Sequence, residues 1–341
     1  MESLAVKYRP KTFDEIVGQS SVSDILKRQI ETKQIKNSYL FCGNSGTGKT
    51  SSARAFAMAI NDNQGKPIEI DAASNSGVDN VREIIKQAEQ RAIDCEYKII
   101  IIDEAHALSA SAWQAFLKCI EEPPKYTIFI FCTTEKNKVP DTIKNRCQVF
   151  NFNKIASDII AERLKYICYR EDVTDYNDAC DYISRICKNQ MRDAIAMLEK
   201  SLNYRVATQL SVEHVIKAFG EISYAEQFKL FNAVIDGDNN IIIESLSNIY
   251  NKGINIKHFV DIFISFVLDL FTYSLFKNIK ATSLPQSEEE NMKYAVGIDN
   301  VNHIMNSIIS SLLQLKQSIK DDEDIYTTVK CYFIKISNEL C

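Results

Sequence analysis

Eight residues, Gly43-Asn44-Ser45-Gly46-Thr47-Gly48-Lys49-Thr50, set glycines, a lysine and a hydroxyl in the order G-x-x-x-x-G-K-T. Glycine lets the backbone turn tightly and removes side chains that would block an approaching ligand, so the loop's N–H groups can close around phosphate oxygens. Lys49 adds a full positive charge, and the Thr50 hydroxyl is a hard oxygen ligand suited to Mg²⁺. The apolar run Tyr39-Leu40-Phe41-Cys42 leads into the loop and reads as a short buried strand. Ser51 to Ile60 follows and reads as a helix, whose N-terminus contributes partial positive charge. The candidate nucleotide contacts are therefore Gly43, Asn44, Ser45, Gly46, Thr47, Gly48, Lys49, Thr50 and Ser51. The spacing is not G-x-G-x-x-G, which excludes a dinucleotide-binding loop.

A second signal is Asp103-Glu104, which closes the run Ile99-Ile100-Ile101-Ile102. The first carboxylate can hold a metal that bridges the β- and γ-phosphates, and the second can polarise a water for in-line attack. Asp103 is assigned to the metal and Glu104 to the water. Downstream, Thr127–Cys132 reads as a strand ending in Thr133-Thr134, whose hydroxyls could reach the γ-phosphate or that water. Arg146 and Arg192 are the remaining candidates, since a planar guanidinium suits developing phosphate charge. By spacing alone, each fits a surface salt bridge better. Asp103-Glu104-Ala105-His106 also spells a helicase signature, but neither a Ser-Ala-Thr triplet nor a Q-x-x-G-R-x-G-R helix accompanies it. His106 is then expected to be a hydrogen-bonding loop residue.

These groups need a scaffold. The first 153 residues alternate apolar runs (Tyr39–Cys42, Ile68–Ile70, Ile99–Asp103, Thr127–Cys132, Val149–Phe152) with candidate helices Thr50–Ile60, Val78–Ile93 and Ala110–Glu121. A run of four isoleucines without polar alternation is buried on both faces, as in a parallel sheet covered by helices. The α/β half gives way after Asn153 to helical patterns only. Three or four short helices are expected over 156–219, with Asp178–Ile186 and Met191–Asn203 the clearest, and a larger all-α region from about Glu221. The expected domains are thus 1–153, 154–220 and 221–341.

The chain has 341 residues, 45% hydrophobic and 25% charged, with a net charge of −5. That balance argues against nucleic-acid binding through bulk positive charge, though not against a local basic lining. No N-terminal stretch resembles a signal peptide. The most apolar stretch, Phe259 to Phe276, holds Asp261 and Asp269, and no run is expected to approach the ~20 residues of a membrane span. A cytoplasmic protein with no membrane partner is the expectation. None of the ten cysteines stands in C-x-x-C spacing, which argues against a zinc knuckle. Several lie in apolar runs and are expected to pack as small hydrophobes, no disulfides are expected, and Cys341 is expected to be exposed.

The segments Lys7-Tyr8-Arg9-Pro10-Lys11-Thr12-Phe13 and Val17-Gly18-Gln19 resemble the opening of clamp-loader ATPases of the AAA+ class. Glu69-Ile70-Asp71-Ala72-Ala73-Ser74-Asn75, Gly77-Val78-Asp79 and Arg82 look like the bacterial DNA polymerase III gamma/tau family. Ala115-Phe116-Leu117-Lys118, Glu121-Glu122-Pro123-Pro124, Cys132-Thr133-Thr134, Asn145-Arg146-Cys147 and Met191-Arg192-Asp193-Ala194 continue the likeness. It is dense over 4–152 and rests beyond about 220 on length and helical character.

The resemblance implies a P-loop AAA+ parallel-sheet domain, a small helical lid and an all-α collar. It implies ATP and Mg²⁺ as cofactors, with Tyr8, Arg9, Pro10 and Val17 near the adenine. Thr134 then looks like the first phosphate sensor, and Arg192 like the second, reaching the chain's own nucleotide. Arg146 looks like an arginine finger acting on a neighbouring subunit's ATP. The implied activity is ATP hydrolysis without polymerase activity, within a pentameric ring that opens a sliding clamp and loads it on primed DNA, sequence-independently. The Phe259–Phe276 stretch is a candidate part of the collar contact or an internal core helix. The runners-up are another AAA+ motor of the branch-migration type and a non-catalytic ring subunit.

This chain departs from the family in four places. Asn145 replaces a usual Ser, and Asn189-Gln190 replaces a common Gly-Ser before the second sensor. Only Asp62-Asn63-Gln64-Gly65-Lys66-Pro67 joins Asn61 to Ile68, so the four-cysteine zinc module is not there. The sequence given stops near the expected close of the collar, without a tau-type extension; a phage or other mobile-element origin would account for both absences.

Overall fold

The computed structural model describes residues 2–220 and 222–340, so Cys341 lies outside the described residues. Five strands form one parallel sheet: β1 (Ser38–Gly43), β2 (Ile68–Asp71), β3 (Lys98–Asp103), β4 (Thr127–Thr133) and β5 (Gln148–Phe152). Their order is β2-β3-β4-β1-β5. The central strands β1, β3 and β4 are almost wholly buried, whereas the edge strand β2 alternates half-buried Ile68 and Ile70 with exposed Glu69 and Asp71. The isoleucine run is explained by the two-residue period of a strand. Ile100 and Ile102 face one apolar layer, with Trp113 and Phe116 of helix Ala110–Glu121 and Val81 and Ile84 of helix Val78–Glu89. Ile99 and Ile101 face the other, with Phe56 of helix Lys49–Ile60 and Leu26 of helix Ser20–Glu31.

The expected strands and the helices after β1 and β3 form where the apolar pattern places them. Helix Val78–Glu89 stops short of the expected Ile93, because Ile93 is fully exposed and has no apolar layer to join. Four helices fill 156–219: Ser157–Arg170, Asn177–Ile186, Met191–Leu202 and Val212–Phe219. Beyond 153 the described residues add only isolated bridges, Thr174 with Gln209 and Val206 with Gln209.

The chain divides into two compact units, residues 1–170 with 186–199, and residues 171–185 with 200–341. This division passes through 154–220 rather than along its ends. The second unit is built on a core of Phe231, Phe259, Phe263, Leu270, Leu312 and Phe333. Helices Tyr224–Ile235, Asn239–Asn251 and Ile256–Phe276 start at side-chain caps: Ser223 with Glu226 in a capping box, Asp238, and Asn255.

Helix Ile256–Phe276 corrects one expectation. It is 21 residues long, an 18-residue window of it has a mean hydropathy of 1.8, and it is long and apolar enough, by length and composition, to cross a membrane. One face instead packs in the core through Phe259, Phe263, Phe266 and Leu270, while Leu268, Leu275 and Phe276 are exposed. Its two carboxylates are partnered: Asp261 pairs with Lys316 at 2.7 Å, and Asp269 accepts from the Ser283 backbone N–H at 2.9 Å and from its hydroxyl. Six of the nine described cysteines (42, 119, 132, 168, 180 and 187) are buried among apolar neighbours.

Candidate functional site

The phosphate loop leaves the C-terminal end of β1, which β4 and β5 flank on its two sides. Ligands of open parallel sheets sit at such carboxyl-end crevices. Gly43 lies beside Phe152 of β5, and a Cβ on it would stand 2.4 Å from the Phe152 carbonyl oxygen, so no other residue fits. Gly46 and Gly48 take φ of +68° and +97°, which favour glycine. The loop's shape is held from within: the Thr47 hydroxyl donates to Asn44 O at 2.8 Å, and Lys49 Nζ donates to Gly43 O and Asn44 O, both at 2.8 Å. Lys49 is buried, and burial lowers its pKa from the ordinary lysine value. Bound phosphate would restore the ammonium by placing negative charge beside it.

The neighbouring strand ends bring the acids to this loop. The Thr50 hydroxyl donates to Asp103 Oδ2 at 2.8 Å. These two hard oxygens suit Mg²⁺, which takes one or two protein ligands and completes its shell with phosphate and water. Among the described residues no cluster of three acidic, histidine or cysteine side chains offers a metal cage. Glu104 turns out of β3 with φ +46°, and its Oε2 accepts from the Thr134 hydroxyl at 3.2 Å. His106 sits in the 3-10 turn Ala105–Ala107, with Nδ1 3.2 Å from Thr133 Oγ1.

One cavity collects most of the sequence candidates. Tyr8, Arg9, Pro10, Val17, Ser45, Gly46, Thr47, Gly48, Lys49, Thr50, Ser51, Asp103, Glu104 and Arg192 all line it. Gly43 and Asn44 contribute through the carbonyls that hold Lys49, and Thr134 through Glu104. Arg192 is the second residue of helix Met191–Leu202, whose first N–H bonds Gly46 O at 3.2 Å. A cation at a helix N-terminus opposes the helix dipole, and Arg9 is further lowered in pKa by burial and then by Arg54 and Arg192. Converging arginines at an N-terminus are relieved by an anion. The Asn189 substitution is accommodated: it takes φ +62°, a region asparagine tolerates, and its amide donates to Ile155 O at 2.8 Å.

The sequence reading missed several contributors. Ala5, Ile16, Ile155, Met191 and Ile195 supply apolar walls. Gln19, buried, donates to Thr47 O at 3.2 Å and Asn153 O at 2.8 Å, tying the loop to the end of β5. Gln19 stood in the family-like segment Val17-Gly18-Gln19, but nothing in its spacing assigned it a role. Arg163 donates to Tyr8 O at 3.0 Å and holds the N-terminal segment in place.

Arg146 is the one candidate outside this site. It precedes β5, beside Ser38 and Gln148 at the N-terminal ends of the strands, opposite the phosphate loop. From Gln148 to Phe152 the strand alone spans about 13 Å. Arg146 is exposed, pairs with Glu121 Oε1 at 2.6 Å and donates to Thr142 O at 2.9 Å.

Comparison with known proteins adds ancestry to this geometry. A family model described as DNA polymerase III, delta subunit matches residues 65–156. The chain is 34% identical over 294 residues to DNA polymerase III subunit gamma/tau of Mycoplasma genitalium, covering 80% of this chain and 49% of that protein. It is 33% identical over 287 residues to DNA polymerase III subunit tau of Bacillus subtilis, covering 78% and 51% respectively. The chain thus spans about half the length of these curated relatives. Among solved structures, the Thermotoga maritima RuvB Holliday junction branch migration motor aligns with a TM-score of 0.54 at 18% identity, covering 73% of this chain and 86% of that chain. That likeness shows a common fold and nothing about substrate.

Proposed function

The chain is a homologue of the DNA polymerase III gamma/tau subunits over about half of their length, and on that premise we propose that it is an ATP-hydrolysing clamp-loader subunit. It would act in DNA replication in the cytoplasm, without polymerase activity of its own. ATP binds in the cavity, with phosphates on the loop 43–51 and base toward Tyr8, Arg9, Pro10 and Val17. Thr50 and Asp103 hold Mg²⁺, which supplies charge neutralisation at the phosphates when bound. Glu104 orients the attacking water, Thr134 steadies Glu104, and Arg192 senses the phosphate from the lid. The observation that supports this most directly is the convergence of Lys49, Thr50–Asp103 and Glu104–Thr134 on one cavity.

Arg146 completes a neighbouring subunit's site. Its position at the opposite ends of the strands supports action in trans, since no arginine side chain spans that distance to its own chain's loop. Hydrolysis then depends on how subunits pack, which is how a ring can close on ATP and open on its loss. Functionally the chain would divide into nucleotide domain 1–153, lid 154–220 and oligomerising collar 221–341. Its partners are other loader subunits in a pentameric ring, a sliding clamp, and primer-template DNA held through backbone phosphates.

The test is ATP hydrolysis by the assembled ring with and without clamp and primed DNA. Stimulation by both is expected. Hydrolysis indifferent to them, but raised by four-way junctions, would instead support a branch-migration motor. The helical character of the described residues after 221 favours the loader.

A further inference from the structure

We propose that His106 is a positioning residue for the Glu104 carboxylate, and that Glu135 competes for it. The inference rests on Glu104 being the group that orients water. His106 is largely buried, and each of its ring nitrogens faces a carboxylate. Nδ1 lies 3.3 Å from Glu104 Oε2, and Nε2 lies 3.3 Å from Glu135 Oε1. A neutral imidazole carries a single N–H and so can donate to one of these at a time.

The Thr133 hydroxyl can serve either arrangement, donating to a bare Nδ1 or accepting beside its N–H. Thr133 Oγ1 is 3.2 Å from Nδ1 and already accepts the Glu135 backbone N–H at 3.0 Å. With the proton on Nε2, His106 donates to Glu135 while the Thr133 hydroxyl donates to Nδ1. Glu104 Oε2 then keeps only the Thr134 hydroxyl. With the proton on Nδ1, a small ring shift from its Thr133 contact would let His106 donate to Glu104 Oε2, and two donors would converge on that one oxygen. This fixes the carboxylate plane and leaves Oε1 free to face the water. Lys138, 2.9 Å from Glu135 Oε1, offsets the competing charge and favours the second arrangement. No covalent bond changes; one proton moves between two nitrogens of one ring.

The experiment measures kcat and KM for ATP in the assembled ring, with nucleotide affinity measured separately. His106→Ala should lower kcat about tenfold with KM and affinity unchanged, as expected when only transition-state geometry is lost. His106→Asn, whose amide nitrogen falls near the place of Nδ1, should recover at least about threefold of that loss; His106→Gln, reaching toward Nε2, should not. Glu135→Gln, whose amide can donate to Nε2, should keep or raise kcat. The inference is overturned if His106→Ala stays within about twofold of the unaltered chain, if affinity falls in step with kcat, or if Asn does no better than Gln. Glu104→Gln separates the two levels: if it leaves hydrolysis intact, the assigned role of Glu104 has failed, whereas a dead Glu104→Gln with an unaffected His106→Ala removes only the role of His106.

Discussion

Arg146 is held by Glu121 through a 2.6 Å ion pair, at the end of the sheet opposite the phosphate loop. Both side chains are about two-fifths exposed, so the pair adds little stability. It parks a guanidinium that a neighbouring subunit's phosphates could take over at small cost.

Arg146→Ala should therefore leave ATP affinity within about threefold while reducing hydrolysis by roughly 10³-fold or more, the scale of an arginine finger. Glu121→Gln should leave stability within about 1 kcal/mol and hydrolysis undiminished. Mixed rings of Arg146→Ala and Lys49→Ala chains check the geometry: partial recovery of turnover supports action in trans. Retained turnover in Arg146→Ala alone would end that assignment.

Lys49 links the loop to pH. Its folded pKa lies below the ordinary 10.5, chiefly through burial. Between the lowered value and 10.5 the unfolded chain binds the proton more tightly, so stability of the nucleotide-free chain rises with pH across that window. Nucleotide affinity should fall across the same window, as the ammonium is lost. Thermal melts and binding titrations compared with Lys49→Met read both effects. Identical pH profiles for the two chains would contradict the burial argument.

Thr50 and Asp103 should act as one metal-binding pair. Thr50→Val and Asp103→Asn should each reduce the Mg²⁺-dependent part of nucleotide affinity by at least the ~10-fold typical of losing even an outer metal partner. Titrations with Mg²⁺ and with EDTA should converge for both variants. A persistent Mg²⁺ effect in Asp103→Asn would place the metal elsewhere.

Arg192 sits where its charge is unfavourable without a ligand. Arg192→Ala should weaken ATP binding about 10- to 100-fold, the loss of a charged hydrogen bond. The melting temperature of the nucleotide-free chain should hold or rise slightly, since a cation leaves a helix N-terminus. A fall in both would mean that Arg192 is structural.

Gly43→Ala tests the contact between loop and sheet. With a Cβ 2.4 Å from a backbone oxygen of the paired strand, the change should cost more than about 2 kcal/mol by urea unfolding. Gly48→Ala, with nothing within 4 Å, meets only the strain of φ +97° and should cost less.

Much of this site was legible because its parts are local. The phosphate loop is a contiguous stretch whose glycines, lysine and hydroxyl carry their own geometry, and apolar runs of period two or none located all five strands. Helix Val78–Glu89 was overextended because a polar tail with one isoleucine reads as amphipathic until its exposure is seen. The long apolar helix was underestimated because Asp261 and Asp269 interrupt it in sequence, yet each finds a partner in space.

The amino-acid order by itself determined the phosphate-binding chemistry, the parallel α/β layer and the helical remainder, since backbone turns and burial periodicity are short-range properties. Tertiary structure alone decided that β4 stands between β1 and β3, bringing Asp103 to Thr50 and Thr134 to Glu104, and that Arg146 precedes β5 at the opposite ends of the strands. Strand periodicity says that a segment is buried but not which segment lies next to it; that choice comes from packing between residues distant in the chain.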